Sequence, residues 1–230
     1  MQREIDEVLN GRTPDAVFIL GDLSYNDIEA LKDYHGLRGV PMYGVVGNHD
    51  ERNALINQGI TDIHMKTVKI GNYTVGGFGG SIRYKSDSFY MMHSNKESEE
   101  LLNMLAHCDI LLTHDKPRFE PDAGEEFPNS HSGLTGIARY IERHKPEYVF
   151  HGHLHEPYYT HFGENTLIMC LYGLEWIELS HARDIDVSEK PVVESAKPTE
   201  PICDSAETDT KPRKRILSFL SAFFRKDTSK

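Results

Sequence analysis

Short apolar runs that end in polar side chains recur along the first two-thirds of the chain. The clearest run is Tyr43-Gly44-Val45-Val46, which ends at Gly47 and is followed by an amide, an imidazole and a carboxylate at 48–50. A strand buried on both faces is a continuous apolar run, and in open α/β sheets ligands bind beyond the carboxyl ends of such strands. The same pattern occurs at 18–22, 110–114 and 148–155. It predicts four strands that deliver polar side chains to a site.

Helical periodicity alternates with these strands. Apolar residues at helical spacing predict helices over 1–10, 27–34, 96–106 and 136–144. Two short runs separated by Gly71-Asn72 predict a hairpin over 67–78. Short runs with turn residues over 158–179 predict antiparallel strands of a second sheet. This order of elements indicates an α/β domain, which we assign to residues 1–186.

The amino-acid composition of the chain changes after this domain. Residues 187–210 are rich in Pro, Glu, Ser, Thr and Lys, and they contain too few apolar side chains to offset the entropy lost on ordering. We therefore predict a disordered linker there. Residues 211–230 form a basic amphipathic tail, in which four apolar residues would share one face of a helix: Ile216, Phe219, Leu220 and Phe223.

Composition narrows the function classes. The formal net charge of -11 over 230 residues argues against a non-specific nucleic-acid binder. The odd count of three cysteines, two of them in or beside apolar runs, is typical of reduced thiols and favours the cytoplasm. No apolar run approaches the ~18 residues of a membrane span, and the first residues are not those of an export signal.

The polar residues at the strand ends are candidate metal ligands. A carboxylate, an amide oxygen and imidazoles form a mixed oxygen and nitrogen shell that suits Mn, Fe or Zn, and the lack of a thiolate argues against a structural zinc site. A single histidine in such a place is more often structural, but four strand ends that all supply ligand types favour a metal site. The five candidates are Asp22, Asn48, His114, His153 and His155.

These residues stand in motifs that resemble the calcineurin-like metallophosphoesterase superfamily, and in particular its small single-domain phosphodiesterase members. The motifs are Gly21-Asp22, Gly47-Asn48-His49-Asp50, Thr113-His114 and Gly152-His153-Leu154-His155. The resemblance extends over residues 15–179. It implies a four-layer αββα sandwich, in which two mixed sheets lie between layers of helices.

The resemblance also implies a role for each site residue. Asp22 resembles the bridging ligand of two metal ions, His155 a ligand of the first ion, and His49 the general acid. Asn48, His114 and His153 resemble the remaining ligands of the second ion. Two divalent or trivalent ions would activate a water that attacks phosphorus, and His49 would protonate the leaving oxygen. Asp50 is expected to orient a neighbouring group or cap a helix rather than to bind metal.

One motif of the family has no counterpart in the chain. The family carries Asp-x-His at the end of the strand before the opening helix, whereas this sequence starts within that helix. The first metal site then retains only Asp22 and His155, and the sheet is expected to have a gap at that strand. Two explanations stay open: the chain is a truncated form of a longer protein, or its first metal site has decayed.

Two functions of different classes follow from the sequence. The first is a metallophosphoesterase that acts on a phosphodiester or a small phosphorylated, nucleotide-like substrate. The second is a catalytically impaired metal-binding module that recruits a partner. In either case the basic residues around the apolar face of 211–226 predict binding to an anionic membrane surface or a protein groove, so the protein would be cytoplasmic or peripheral to a membrane.

Overall fold

The computed structural model describes residues 2–86, 89–121, 124, 128–179 and 214–219, the last of these through the backbone. The predicted linker 187–210 and most of the predicted tail lie outside the described residues, so the predicted boundaries at 186 and 210 stay predictions. Within the described residues, no helix combines the length and the apolar character needed to cross a bilayer.

The first sheet has five strands among the described residues. Their bounds are β1 (Ala16–Ile19), β2 (Met42–Gly44), β3 (Thr61–Asp62), β12 (Leu174–Leu179) and β13 (Lys214–Phe219). They lie in the order β12-β13-β1-β2-β3. Strand β1 pairs in parallel with β2 and β13, β2 pairs in parallel with β3, and β12 is antiparallel to β13. The parallel strands therefore present their carboxyl ends at one edge.

The second sheet has six described strands. Their bounds are β4 (Thr67–Ile70), β5 (Tyr73–Phe78), β8 (Ile110–Thr113), β9 (Tyr148–His151), β10 (Tyr158–Phe162) and β11 (Thr166–Cys170), and they lie in the order β10-β11-β9-β8-β5-β4. Strands β5, β8, β9 and β11 are parallel, and an antiparallel strand closes each side. The predicted hairpin is β4–β5. Of the strands predicted in 158–179, β10 and β11 belong to this sheet and β12 belongs to the first. A separate short pair joins β6 (Ser81–Ile82) and β7 (Met92–His93).

Helices cover the outer faces of both sheets. They are α1 (Gln2–Leu9), α2 (Tyr25–Asp33), α3 (Ala54–Asn57), α4 (Asn95–Leu102) and α5 (Thr135–His144), with a 3₁₀ turn at His35–Leu37. Apolar residues of α1 and α2 pack on the outer face of β1, and those of α4 and α5 pack on β8 and β9. A third apolar cluster lies between the sheets and includes Phe18 and Phe150. These three cores define four layers and confirm the predicted αββα sandwich.

Strand β13 corrects two expectations about the first sheet and the tail. Residues 214–219 were predicted as part of a helical tail, and the sheet was expected to have a gap beside β1. Instead 214–219 is a strand between β1 and β12, with Ala16 opposite Ile216 and Leu174 opposite Phe219. A short helix in water is marginal on its own, whereas an unpaired edge of β1 offers a row of backbone hydrogen-bonding groups. Pairing on both sides satisfies those groups, and this outweighs the helical periodicity.

Candidate metal centre

Tight turns after β1 and β2 bring their polar residues together. Gly21 has φ +93°, and a side chain on Gly47 would collide with the Asp22 carboxylate, so both positions require glycine. Asp22, His153 and His155 themselves adopt the left-handed region, with φ of 56°, 70° and 56°. Non-glycine residues rarely adopt this conformation, and they concentrate at functional sites. The backbone is therefore shaped to aim these side chains.

Four of the five predicted ligands converge on one buried point. The Nε2 atom of His114 lies 2.9 Å from Asn48 Oδ1, 3.2 Å from His153 Nδ1 and 3.4 Å from Asp22 Oδ2. The candidate ligand atoms of Asp22, His114 and His153 all lie within 4.8 Å of one another. These residues come from the ends of β1, β2, β8 and β9, so both sheets contribute to the centre.

The remaining polar atoms of these side chains are held by other groups. His114 Nδ1 donates to the Leu20 carbonyl at 2.7 Å, and His153 Nε2 donates to the Ser130 carbonyl at 2.8 Å. The amide nitrogen of Asn48 donates to the Tyr84 hydroxyl at 3.3 Å, which leaves its oxygen on the side of the cluster. Such outer hydrogen bonds fix the tautomer and orientation of metal-binding histidines. The donor set fits one Mn, Fe or Zn ion.

The electrostatics of the centre are dominated by one buried pair. Burial alone would raise the pKa of Asp22, but the neighbouring His114 and the hydrogen bond from the His49 amide hold it well below its usual range. Burial opposes a charge on His114, yet Asp22 and the Leu20 carbonyl raise its pKa to about 9. Burial, reinforced by His114, lowers the pKa of His153 to about 3. A cation therefore meets one carboxylate and one neutral imidazole, and it would displace a proton from His114.

Asp50 lies beside this cluster and binds backbone instead. Its Oδ2 atom accepts hydrogen bonds from the amides of Gly47 and Asp22, both at 2.7 Å. The side chain is buried, and burial together with the charge of Asp22 raises its pKa. Asp50 thus ties the turn after β2 to the turn after β1, in line with the orienting role that the sequence favoured.

The structure places the other two predicted site residues at the rim. The His49 amide donates to Asp22 Oδ1 at 2.8 Å, while its exposed ring lies 6.4 Å from the Tyr90 ring. His155 is also exposed, with its ring 5.5 Å from the Tyr172 ring, and the partial burial of its ring lowers its pKa. It does not join the cluster of Asp22, His114 and His153. The roles of His49 as general acid and of His155 as a ligand stay predictions.

Sequence reasoning missed three neighbours of the centre. Ser130 and His131 belong to the segment before α5, where the Ser130 carbonyl accepts from His153 and the His131 ring stands edge-on to the His153 ring at 4.8 Å. Tyr84 approaches from the segment between β6 and β7. None of these residues follows a buried apolar run, so the pattern that identified the strand ends could not find them.

Comparisons with known proteins identify a family and a similar fold. A family model described as the calcineurin-like phosphoesterase superfamily domain matches residues 1–170. The crystal structure of TT1561 of Thermus thermophilus matches with a TM-score of 0.53 and 18% identity, over 80% of this chain and 88% of that one. A putative 5'-nucleotidase from Staphylococcus aureus in complex with alpha-ketoglutarate matches with a TM-score of 0.38 and 18% identity, over 74% and 39%. A comparison with curated proteins found no match.

Proposed function

Because the chain belongs to the calcineurin-like phosphoesterase superfamily, we propose that it is a metal-dependent phosphoesterase that hydrolyses a phosphodiester or a small phosphorylated substrate. One observation carries the proposal. Asp22, Asn48, His114 and His153 bring ligand atoms to a common point, while their other polar atoms bond to Leu20, His49, Ser130 and Tyr84. A carboxylate, an amide oxygen and two imidazole nitrogens at one point form a donor set that suits a metal ion.

These four residues would hold the more tightly bound ion, and Asp22 with His155 would hold a second ion weakly. When bound, the metal ions supply Lewis-acid chemistry, which acidifies water and neutralises the oxygens of a phosphate group. We infer Mn, Fe or Zn from the donor set. In β13, which lies beside β1, the sequence of 214–219 contains no acidic residue and no histidine, so this strand adds no ligand of the usual types.

His49 is our proposed proton donor. Its amide hydrogen bond to Asp22 fixes its backbone at the centre, and its exposed ring can approach a substrate from the solvent side. In the proposed reaction a water oxygen forms a bond to phosphorus and releases one proton to solvent, the ester P–O bond breaks, and the leaving oxygen takes the proton of His49. His49 then regains a proton from solvent. Proton transfer by a positioned side chain commonly raises the rate by a factor of ~10²–10⁴.

A metal-binding module of low activity is the second candidate. Among the residues that the structure describes, one group of three His, Cys, Asp or Glu side chains is close enough to bind a metal ion. A two-metal mechanism needs more ligands than this group supplies. A chain that retains metal but hydrolyses no ester would support the module.

The test combines metal content with hydrolysis. After dialysis against buffer, elemental analysis of the wild-type chain should find one tightly held Mn, Fe or Zn ion, and a second ion should bind weakly. His114→Ala should lose the tight ion and the hydrolysis of a generic aryl phosphodiester, whereas the exposed control His107→Ala should keep both. Equal metal content and equal rates in the two variants would refute the proposed site.

A further inference from the structure

The segment between β6 and β7 lies beside the metal centre, and its ends are held by strand pairing, a hydrogen bond and an ion pair. Strands β6 and β7 pair in parallel, and the Ile82 amide donates to the buried carboxylate of Asp115 at 2.8 Å. Arg83 forms an ion pair with Glu97 at 2.7 Å, which ties the start of the segment to α4. The described residues of the segment, 83–86 and 89–91, are therefore anchored close to the carboxyl end of β8, next to His114.

Three aromatic residues of this segment form a surface, which we call the aromatic platform: Tyr84, Phe89 and Tyr90. The Tyr84 hydroxyl accepts from the amide of Asn48, so the platform begins at a proposed metal ligand. The Tyr90 ring lies 6.4 Å from the His49 ring, and the Phe89 ring stands edge-on to Tyr90 at 5.0 Å. Phe89 is 59% exposed. The rings thus lead from the proposed proton donor outward into solvent.

Cationic groups accompany the platform. The ammonium group of Lys85 lies 5.4 Å from the Tyr84 ring and 5.3 Å from the Tyr90 ring. The Arg52 guanidinium donates to the Tyr90 carbonyl at 3.3 Å. Two positive groups thus lie at one rim of the centre, in a chain with a net charge of -11. Lys85 over the two rings also stabilises the platform through cation–π contacts.

We propose that the aromatic platform is the subsite for the leaving group, and that the substrate carries a planar aromatic ring on that group. The inference rests on the proposed function, because it places the phosphate at the metal centre. A planar ring stacked on the exposed face of Phe89 would remove apolar surface of both rings from water. Aromatic side chains accept bases and other rings in this way with little dependence on their identity.

The proposed chemistry fixes which part of the substrate lies on the platform. A water oxygen bonds to phosphorus and releases one proton to solvent, the P–O bond to the aromatic-bearing group breaks, and the leaving oxygen takes the proton from His49, which solvent replaces. Because His49 lies between the centre and Tyr90, the group that receives the proton is the group beside the platform. Two sources share this chemistry: a nucleoside, whose base is one sugar away from the phosphate, and a simple aryl or benzyl alcohol, whose ring is closer.

Phosphonates, whose P–C bond resists hydrolysis, test the platform independently of turnover. Isothermal titration of the Mn²⁺-loaded protein would compare methylphosphonate, benzylphosphonate and the 5'-methylene phosphonate analogue of adenosine monophosphate. Stacking on an aromatic side chain is worth roughly a fivefold to hundredfold change in affinity. At least one aromatic ligand should therefore bind about tenfold more tightly than methylphosphonate, and Phe89→Ala should remove most of that advantage.

The matched control is Phe119→Ala. Phe119 is also exposed, but it stacks on Phe162 at the end of β10 away from the metal centre, so its removal should leave all three affinities unchanged. If Phe89→Ala weakens the binding of the adenosine analogue more than that of benzylphosphonate, the leaving group is a nucleoside. If Tyr90→Leu weakens the binding of benzylphosphonate more than that of the adenosine analogue, the leaving group is a simple aromatic alcohol.

The outcomes separate this inference from the proposed function. Equal binding of the three phosphonates, or equal effects of Phe89→Ala and Phe119→Ala, overturns the platform even if the protein hydrolyses esters. Preferential binding of an aromatic phosphonate that Phe89→Ala abolishes supports the platform even if turnover is low. Failure of all three phosphonates to bind the metal-loaded protein overturns the platform, and absence of hydrolysis of any ester counts against the proposed function.

Discussion

Glu175 is a buried carboxylate whose removal should stabilise the protein at neutral pH. It lies in β12 and is 5% exposed, and the neighbouring inward residues of that strand, Ile177 and Leu179, belong to the apolar core between the sheets. Its Oε1 atom accepts from the Tyr172 amide at 3.4 Å, whereas Oε2 has no hydrogen-bond partner among the described residues. Burial raises the pKa of Glu175 to about 7, although the Tyr172 amide and the Tyr159 hydroxyl both favour the ionised carboxylate. The substitution that tests this prediction is therefore Glu175→Gln.

The effect of ionised Glu175 on the stability of the fold follows from this pKa. The ordinary value is 4.5 and the folded value is about 7, and each pKa unit corresponds to ~1.4 kcal/mol, so ionised Glu175 destabilises the fold by roughly 3 kcal/mol. Because the folded-state pKa is raised, the folded chain binds the proton more tightly than the unfolded chain. Stability is greatest below the unfolded pKa and falls as the pH rises from about 4.5 to about 7. Glutamine has the same shape and no charge at any pH.

Urea unfolding followed by circular dichroism at about pH 5 and pH 8 would measure the effect. The difference in free energy of unfolding between Glu175→Gln and wild type should be roughly 2 kcal/mol more favourable at pH 8 than at pH 5. Comparing the two pH values cancels any constant contribution of the new amide. Glu164→Gln, in the exposed turn between β10 and β11, should stay within about 0.5 kcal/mol of wild type at both. A Glu175→Gln effect that does not change with pH would refute the reasoning.

Three further predictions concern the metal centre and the last described strand. In a protein that turns over, His49→Ala should lower the rate by ~10²–10⁴, most for substrates with poor leaving groups, and an equal loss on good and poor leaving groups would contradict the general-acid role. Asp50→Ala should lower the free energy of unfolding, measured in urea, by roughly 2–4 kcal/mol, because the buried amide of Gly47 and the half-buried amide of Asp22 would lose their acceptor. A change under about 1 kcal/mol would show that these two hydrogen bonds are dispensable. A chain ending at residue 209 should melt at a lower temperature because β1 and β12 lose their pairing with β13, and an unchanged melting temperature would contradict that pairing.

The sequence predicted the strands of the site correctly wherever a local apolar run is also buried in the structure. The apolar run before Asn48 is buried, and the runs before His114 and His153 are β8 and β9. Because parallel strands present their carboxyl ends at one edge, the chemistry of these ends predicts a shared site without any distance information. Family motifs added the layer order, which the three apolar cores confirm.

What the sequence did not predict depends on contacts between residues that are far apart along the chain. The residues 214–219 carry an apolar pattern that suits a helix face and also a short strand, and the choice depends on the unpaired edges of β1 and β12, which no local pattern encodes. Tyr84 reaches Asn48 from a segment that has no periodicity of its own.

The position of β13 also constrains how the protein can be made. Ala16 pairs with Ile216, so 200 residues separate the two partners in the chain. During synthesis, β1 and the helices around it leave the ribosome long before β13, and the side of β1 that β13 will occupy stays unpaired until then. Pairing between such distant residues slows folding, and exposed strand edges in a partly made sheet can pair with other chains. We expect newly made chains to depend on chaperones until the last strand enters the sheet, and to aggregate when synthesis stops early.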